Sequence, residues 1–196
     1  MEDSDPRSAS EWNTSTFVDL DLPGVDLSGV VFRECSFSRA KLSESRWVGA
    51  IFEDCTFESC DLTMVRLDES RLSGIRFSRC KLMGVDFSAV RPFGLSLAFD
   101  ECNLSHATFA DRKMPDTPFL ECRIHEASFV GVDLSRADFR GSDLSGARFV
   151  ETDLTDADLS EASGYDIAPR QNRLRRTKFS REAALQLVAD LGVIVP

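Results

Sequence analysis

The chain has no apolar run long enough to cross a membrane, and its first residues, MEDSDPRSAS, lack the charged-then-apolar pattern of a secretory signal. A soluble, cytoplasmic protein without membrane contact is expected. Cations are in short supply: 23 Lys and Arg stand against 33 Asp and Glu, net −10. That balance works against nonspecific binding of nucleic acid or anionic lipid. Histidine occurs only at His106 and His125, and no CxxC is present. No nucleophile–base pair, glycine-rich phosphate loop or carboxylate pair held in a cleft can be picked out. An enzyme is therefore not expected, and neither is a cofactor or a metal. At 196 residues the chain is one domain or one repeat array.

What the chain has in abundance is a beat of five. Large apolar residues fall at Phe17, Leu22, Leu27, Phe32, Phe37 and onward without a break to Phe87. They resume at Phe99 and continue through Phe129, Leu134, Phe139, Leu144, Phe149, Leu154 and Leu159. Two positions before each stands a mostly small residue, such as Cys35, Ala40, Ser45, Ala127 or Ala137. This period matches neither a helix nor a half-buried strand, so it is an internal repeat.

This pattern over residues 15–163 resembles the pentapeptide-repeat family. The resemblance implies an all-β fold, a right-handed quadrilateral parallel β-helix, in which four pentapeptides make one square coil. The large and small positions point inward and the other three outward. A narrow coil has no room for two large residues per side, and stacked coils continue each other's hydrogen bonds at about 4.8 Å. Residues twenty apart should then form columns. Phe17, Phe37, Phe57 and Phe77 are one such column, and Leu22, Leu42, Leu62 and Leu82 the next.

Two irregular places are expected. Between Phe87 and Phe99 the beat slips by two residues, so a bulge is placed near 88–98, where Pro92 and Gly94 lie. At 110–117 Arg112 occupies a small inward position, which its charge disfavours. Local distortion or a looped-out segment is expected there. Residues 1–14 read as a flexible arm, with Trp12 placed to cover the open end. The beat stops after Ala162, and 164–196 reads as a capping or dimerisation segment. It contains a short C-terminal α-helix at about 180–191, capped by Ser180. Phe179, Ala184, Leu187, Val188 and Leu191 form its apolar stripe, either covering the last coil or pairing with a second chain.

All six cysteines fall at the small position, and Cys60, Cys80, Cys102 and Cys122 share one column. A metal or redox ladder is the sharper reading; a linear file at about 4.8 Å is not a tetrahedron, however. The plainer reading is a set of small buried side chains.

Charge is uneven. Residues 17–97 hold 12 acids and 10 bases, and residues 98–163 hold 14 acids and 6 bases, net −8. The acidic half spans roughly 16 Å of rod, over which duplex DNA carries about nine charges. Asp133 and Asp153 stack one coil apart, as do Asp138 and Asp158; Asp143 and Asp156 join them on the outer surface. Like charges directly opposed are destabilising, which suggests selection by something other than folding.

The segment YDIAPRQNRLRRTKFSREAALQLVADLGVIV, residues 165–195, looks like the tail of Qnr and MfpA-type members. That likeness implies a homodimeric rod that mimics duplex DNA, binds DNA gyrase or topoisomerase IV and is linked to fluoroquinolone resistance. Asp133, Asp138, Asp143, Asp153, Asp156 and Asp158 would then be the partner-binding acids. Departures from the pattern are the short breaks near 88–98 and 110–117, where better-known Qnr proteins carry long loops. The alternative is a structural or interaction scaffold with a different protein partner, on which Asp is simply common before the large residue.

Overall fold

A computed structural model describes residues 5–192. The first four and last four residues, part of the expected arm and terminal segment, lie outside the described residues. Short parallel strands stack into a four-sided coil of about eight turns, closed by one helix. The strands are β1 (Glu11–Asn13), β2 (Thr16–Val18), β3 (Val31–Arg33), β4 (Ser36–Ser38), β5 (Ile51–Glu53), β6 (Thr56–Glu58), β7 (Arg71–Ser73), β8 (Ile75–Ser78), β9 (Leu97–Asp100), β10 (Phe119–Leu120), β11 (Asp158–Leu159) and β12 (Lys178–Phe179); α1 is Arg181–Asp190. The first face carries β1, β3, β5 and β7, and the second β2, β4, β6, β8, β9 and β10. The third and fourth faces are held by single parallel bridges such as Lys41↔Asp61 and Ser128↔Arg148.

The register follows the columns. Phe17, Phe37, Phe57, Phe77, Phe99 and Phe119 are successive partners on the second face. Their rings stack with centroids 4.7–5.4 Å apart. A second aromatic column meets them edge-on. In the N-terminal half it runs down the first face through Phe32 and Phe52; in the C-terminal half it runs down the fourth face through Phe87, Phe109, Phe129 and Phe149. Phe119, for example, packs against Phe109 and Phe129 at 5.8 Å and nearly perpendicular. Edge-to-face geometry adds to area burial by bringing ring edges onto ring faces.

At most corners the second residue after the large one takes the left-handed region, as Glu34, Arg39, Asp54 and Glu121 do at φ 50–52°. Glycine supplies this without strain at Gly131, where a Cβ would come 2.4 Å from Asp111 Oδ1 of the coil below.

The break lies where the sequence places it. A short turn at 87–89 is followed by a loop at 91–96 that replaces the first-face strand, with Leu95 packed against the core. The loop is tied at both ends, Arg91 N to Ser70 O at 2.8 Å and Ser96 N to Leu72 O at 3.3 Å.

Three expectations need correction. First, residues 110–117 are not looped out. Lys113 and Pro118 bridge to Asp133 and Asp138 in normal register. Arg112 remains at its small position because its guanidinium donates to the carbonyls of Phe87 (3.3 Å) and Val90 (3.1 Å). Elsewhere on this face such a carbonyl accepts from a backbone amide of the next coil, as Ser70 does from Arg91; at Val90 the donor is Arg112.

Second, the coil begins inside the expected arm. β1 pairs with β3, setting Trp12 opposite Phe32. Trp12 meets Phe17 edge-on at 5.2 Å, and its Nε1 donates to Pro6 O. Third, the coil does not end at 163. β11 pairs with β12, setting Leu159 opposite Phe179, and Asp153 bridges to Arg173. Gly164 and Pro169 hold two large positions of this last coil, while Ile167, buried at a small position, restores apolar volume.

Two outcomes follow. Phe119→Ala should lower stability by about 3–5 kcal/mol through loss of a ring packed on four sides, measured by equilibrium denaturation. Arg112→Val, although it restores the usual residue type, should destabilise by about 1–3 kcal/mol because it leaves the Val90 carbonyl without its donor. A stabilised Arg112→Val protein would contradict that account.

Candidate protein-binding surface

Because the interior is filled by two of every five residues, the other three are free to vary, and charge is what they vary in. Counted coil by coil, the rod is banded. Residues 5–69 carry 13 acids and 6 bases, residues 70–98 one acid and 5 bases, residues 99–163 14 acids and 6 bases, and residues 164–192 3 acids and 6 bases. The cationic belt at 70–98 offsets most of the negative charge of 17–69.

In the acidic band the carboxylates gather on two adjacent faces and their corners. Asp133 and Asp153 are bridge partners on the first face, and Asp138 and Asp158 on the second. Asp156 lies at the corner between them, and Asp143 stands apart on the third face beside Ser163. The fourth face presents Ser128, Val130, Arg148 and Val150.

Most of the expected acids already have partners in the chain. Asp138 takes Arg140 at 2.6 Å, Asp143 takes His125 at 2.7 Å, Asp153 takes Arg173 at 3.5 Å and Asp158 takes Lys178 at 2.8 Å; Asp156 is gripped by Arg176. The Arg140 guanidinium holds the Asp138 carboxyl below its ordinary range, and Arg176 does the same for Asp156. Asp143 is lowered to about 2, first by the Ser145 hydroxyl and then by His125. At Asp158 burial pushes upward, but Lys178 and Ser160 outweigh it and the carboxyl falls to about 2. At Asp153 burial is likewise outweighed, by Thr155 and Arg173.

The like-charge stacks are therefore relieved internally, and much of the basic charge at 170–178 is explained by what it neutralises. Asp133 makes no ion pair among the described residues; its Oδ1 accepts only from Ser135 N at 3.0 Å. Exposed Asp100, Asp111, Glu121, Glu151 and Glu161 are also free of ion pairs among the described residues. Asp111, Glu121 and Glu151, absent from the sequence-derived set, are carried outward by left-handed turns, and Asp100 ends β9. An open cleft of about 570 Å³ lies between Asp133, Glu151 and Asp153 and the Arg170–Arg173 segment.

The terminal apolar set divides. Phe179 lies in the last coil against Tyr165, 5.9 Å away. Leu187 lines a narrow cleft with Tyr165 and Ile167, facing its own chain. Ala184 and Val188 are half-buried, and Leu185 and Leu191 are 46% and 47% exposed. Ser180 caps the helix, its Oγ accepting from Ala183 N at 3.2 Å.

The six cysteines are free and buried. Their thiols lie against backbone carbonyls, as Cys80 does on Phe57 O at 3.3 Å, and burial pushes the Cys55 thiol up to about 12. Ser142 continues the same column, donating to Phe119 O at 2.7 Å, so the position calls for a small donor rather than a thiolate. Among the described residues no three His, Cys, Asp or Glu side chains are placed to share a metal, and no helix is long and apolar enough to span a membrane.

Family models for a pentapeptide repeat region and for pentapeptide repeats match residues 30–91 and residues 102–141 and 133–163. No curated protein sequence matches the chain. Among solved structures, a trypsin-treated form of QnrB1, a plasmid-mediated fluoroquinolone resistance protein, is similar at 30% identity over 95% of this chain and 90% of that one, with a TM-score of 0.54. HetL, a pentapeptide repeat protein involved in heterocyst differentiation regulation from the cyanobacterium Nostoc, is 21% identical over 86% of each chain, with a TM-score of 0.49. With its repeats matched over most of the coil and its likeness to QnrB1 extending over nearly the whole chain, this protein belongs to the pentapeptide-repeat family and resembles Qnr.

Proposed function

We propose that this rod binds a type II topoisomerase, DNA gyrase or topoisomerase IV, in place of duplex DNA and so alters the enzyme's activity or its response to fluoroquinolones. The observation that carries the reading is the one-sided acidic band of residues 99–163, net −8, on a rigid rod. Its carboxylates recur with the coil repeat of about 4.8 Å and face a cationic DNA groove as a phosphate backbone does. Such a match steers association and weakens with salt. Similarity to a fluoroquinolone resistance protein supports the same reading. A partner of this kind places the protein in the cytoplasm.

The free acids Glu121, Asp133, Glu151 and Glu161 would make first contact, while Asp138, Asp143, Asp153, Asp156 and Asp158 give up internal pairs if they take part. The reading also includes a homodimer through the terminal segment, with Leu185 and Val188 of α1 and Leu191 just after it as the contact. Two chains joined there double the length of the acidic surface. A scaffold role with another protein partner is the second reading, and the cationic belt at 70–98, which no DNA backbone has, favours it.

Purified protein at micromolar dose is expected to change gyrase supercoiling or quinolone-stabilised cleavage. Replacing Glu121, Asp133, Glu151 and Glu161 together by Lys should raise the required dose about tenfold or more, with an unchanged circular dichroism spectrum. No effect of the wild-type protein on either readout rejects the topoisomerase reading. Leu185→Glu with Leu191→Glu should halve the mass found by light scattering; an unaltered mass rejects the α1 contact.

A further inference from the structure

Of the chain's four methionines, Met1 lies outside the described residues and Met114 is buried in the core. The other two face outward: Met64 is 55% exposed and Met83 half-buried. A single exposed methionine is ordinary on a protein surface. These two are set apart by their neighbours, because both histidines of the chain lie on the same edge of the rod. The third-face bridges Asp61↔Lys81, Lys81↔Asn103 and Asn103↔Arg123 fix the register. They place Met64, Gly84, His106 and Glu126 in one column, at the corner between the third and fourth faces. Thr63, Met83, Ser105 and His125 form the column beside it.

Backbone hydrogen bonds tie the two columns together. Met64 N donates to Met83 O at 2.9 Å, Gly84 N to Ser105 O at 2.9 Å, and His106 N to His125 O at 2.8 Å. A pair of methionines, a pair of small residues and a pair of histidines therefore follow one another down this edge. The small pair leaves the space above it open. Gly84 has no side chain, and Ser105 is buried with its Oγ donating to Asn103 Oδ1 at 2.7 Å. Met64 Sδ already fills the place a Cβ at Gly84 would take, so the thioether lies over the glycine, on the side of the histidines.

Both imidazoles are oriented by carboxylates. His106 Nδ1 faces Glu126 Oε2 at 3.5 Å, and His125 Nε2 faces Asp143 Oδ2 at 2.7 Å. Each ring thus commits one nitrogen and keeps the other, Nε2 of His106 and Nδ1 of His125. Metal-ligating histidines are held in this way, with a carboxylate on the nitrogen that does not bind the metal.

We propose that this edge is a binding site for a soft monovalent metal ion, Cu(I), with Met64, Met83 and His106 as ligands and His125 completing the set. Thioether sulfur selects Cu(I) over harder divalent ions, and imidazole serves copper equally well. The six thiols do not compete from the surface, because they are buried in the core against backbone carbonyls. The site lies at the corner opposite the acidic first and second faces, so it stands or falls separately from the topoisomerase reading.

The test is anaerobic titration of the full chain with Cu(I) against the chelator bicinchoninate, together with NMR of protein carrying carbon-13 in its methionine methyl groups. One equivalent of Cu(I) should be retained, and the methyl signals of Met64 and Met83 should shift while that of Met114 stays. Met64→Leu with Met83→Leu should abolish retention. Glu126→Gln with Asp143→Asn should lower the affinity about tenfold by freeing the imidazoles, with thermal unfolding unchanged in both variants. Loss of all the Cu(I) to the chelator, unshifted Met64 and Met83 methyls, retention that survives the double methionine substitution, or equal affinity for Zn(II) overturns the proposal.

Discussion

Everything in this molecule depends on the width of its interior. A square coil offers each side one large and one small inward place, and stacking brings every large side chain within van der Waals reach of its counterpart above and below. Planar rings meet this demand best. Stacked at 4.7–5.4 Å, the second-face Phe column nearly matches the spacing of the backbone ladder that carries it. Side-chain packing and backbone hydrogen bonding therefore prefer the same repeat, and neither is strained to suit the other. Each buried ring contributes on the order of 1.5–3 kcal/mol gross, and the repeats support one another only through neighbours.

The same width explains the break. A coil accommodates two aromatic columns, with Trp47 as a local addition beside Phe52 and Phe57. The second column leaves the first face after Phe52 and enters the fourth at Phe87, with Leu72 lying between on the first face. The loop at 91–96 follows at once, on the face that has just given up its rings. Arg112 then closes the gap in the ladder with side-chain nitrogens where an amide stands elsewhere.

The columns, the slip near 88–98 and the terminal helix were legible in the sequence because each is a matter of spacing. What was not legible depended on partners that spacing does not reveal. Arg112 violates the inward pattern until the carbonyls of Phe87 and Val90 are seen. The last coil was hidden because Gly164 and Pro169 interrupt the beat, while Ile167 fills the space from a position reserved for small residues. The acids stand out in the sequence, and their counter-ions do not: Asp153 and Arg173 are twenty residues apart, as are Asp156 and Arg176, and Asp158 and Lys178. The column rule that located the Phe ladder predicts these pairs equally well when applied to charges.

Those pairs constrain how the acidic surface can work. Asp153, Asp156 and Asp158 hold the last coil, and α1 is mounted directly on that coil after Phe179. A cationic partner that drew these three carboxylates to itself would have to release Arg173, Arg176 and Lys178, loosening the platform of the helix. Glu121, Asp133, Glu151 and Glu161 have no such duty, so a partner can engage them without disturbing the fold. The outer surface thus divides into carboxylates that secure the end of the rod and carboxylates available for recognition. Were the helix also the contact between two chains, an excursion of the partner toward the end of the rod would act on the dimer through those three ion pairs.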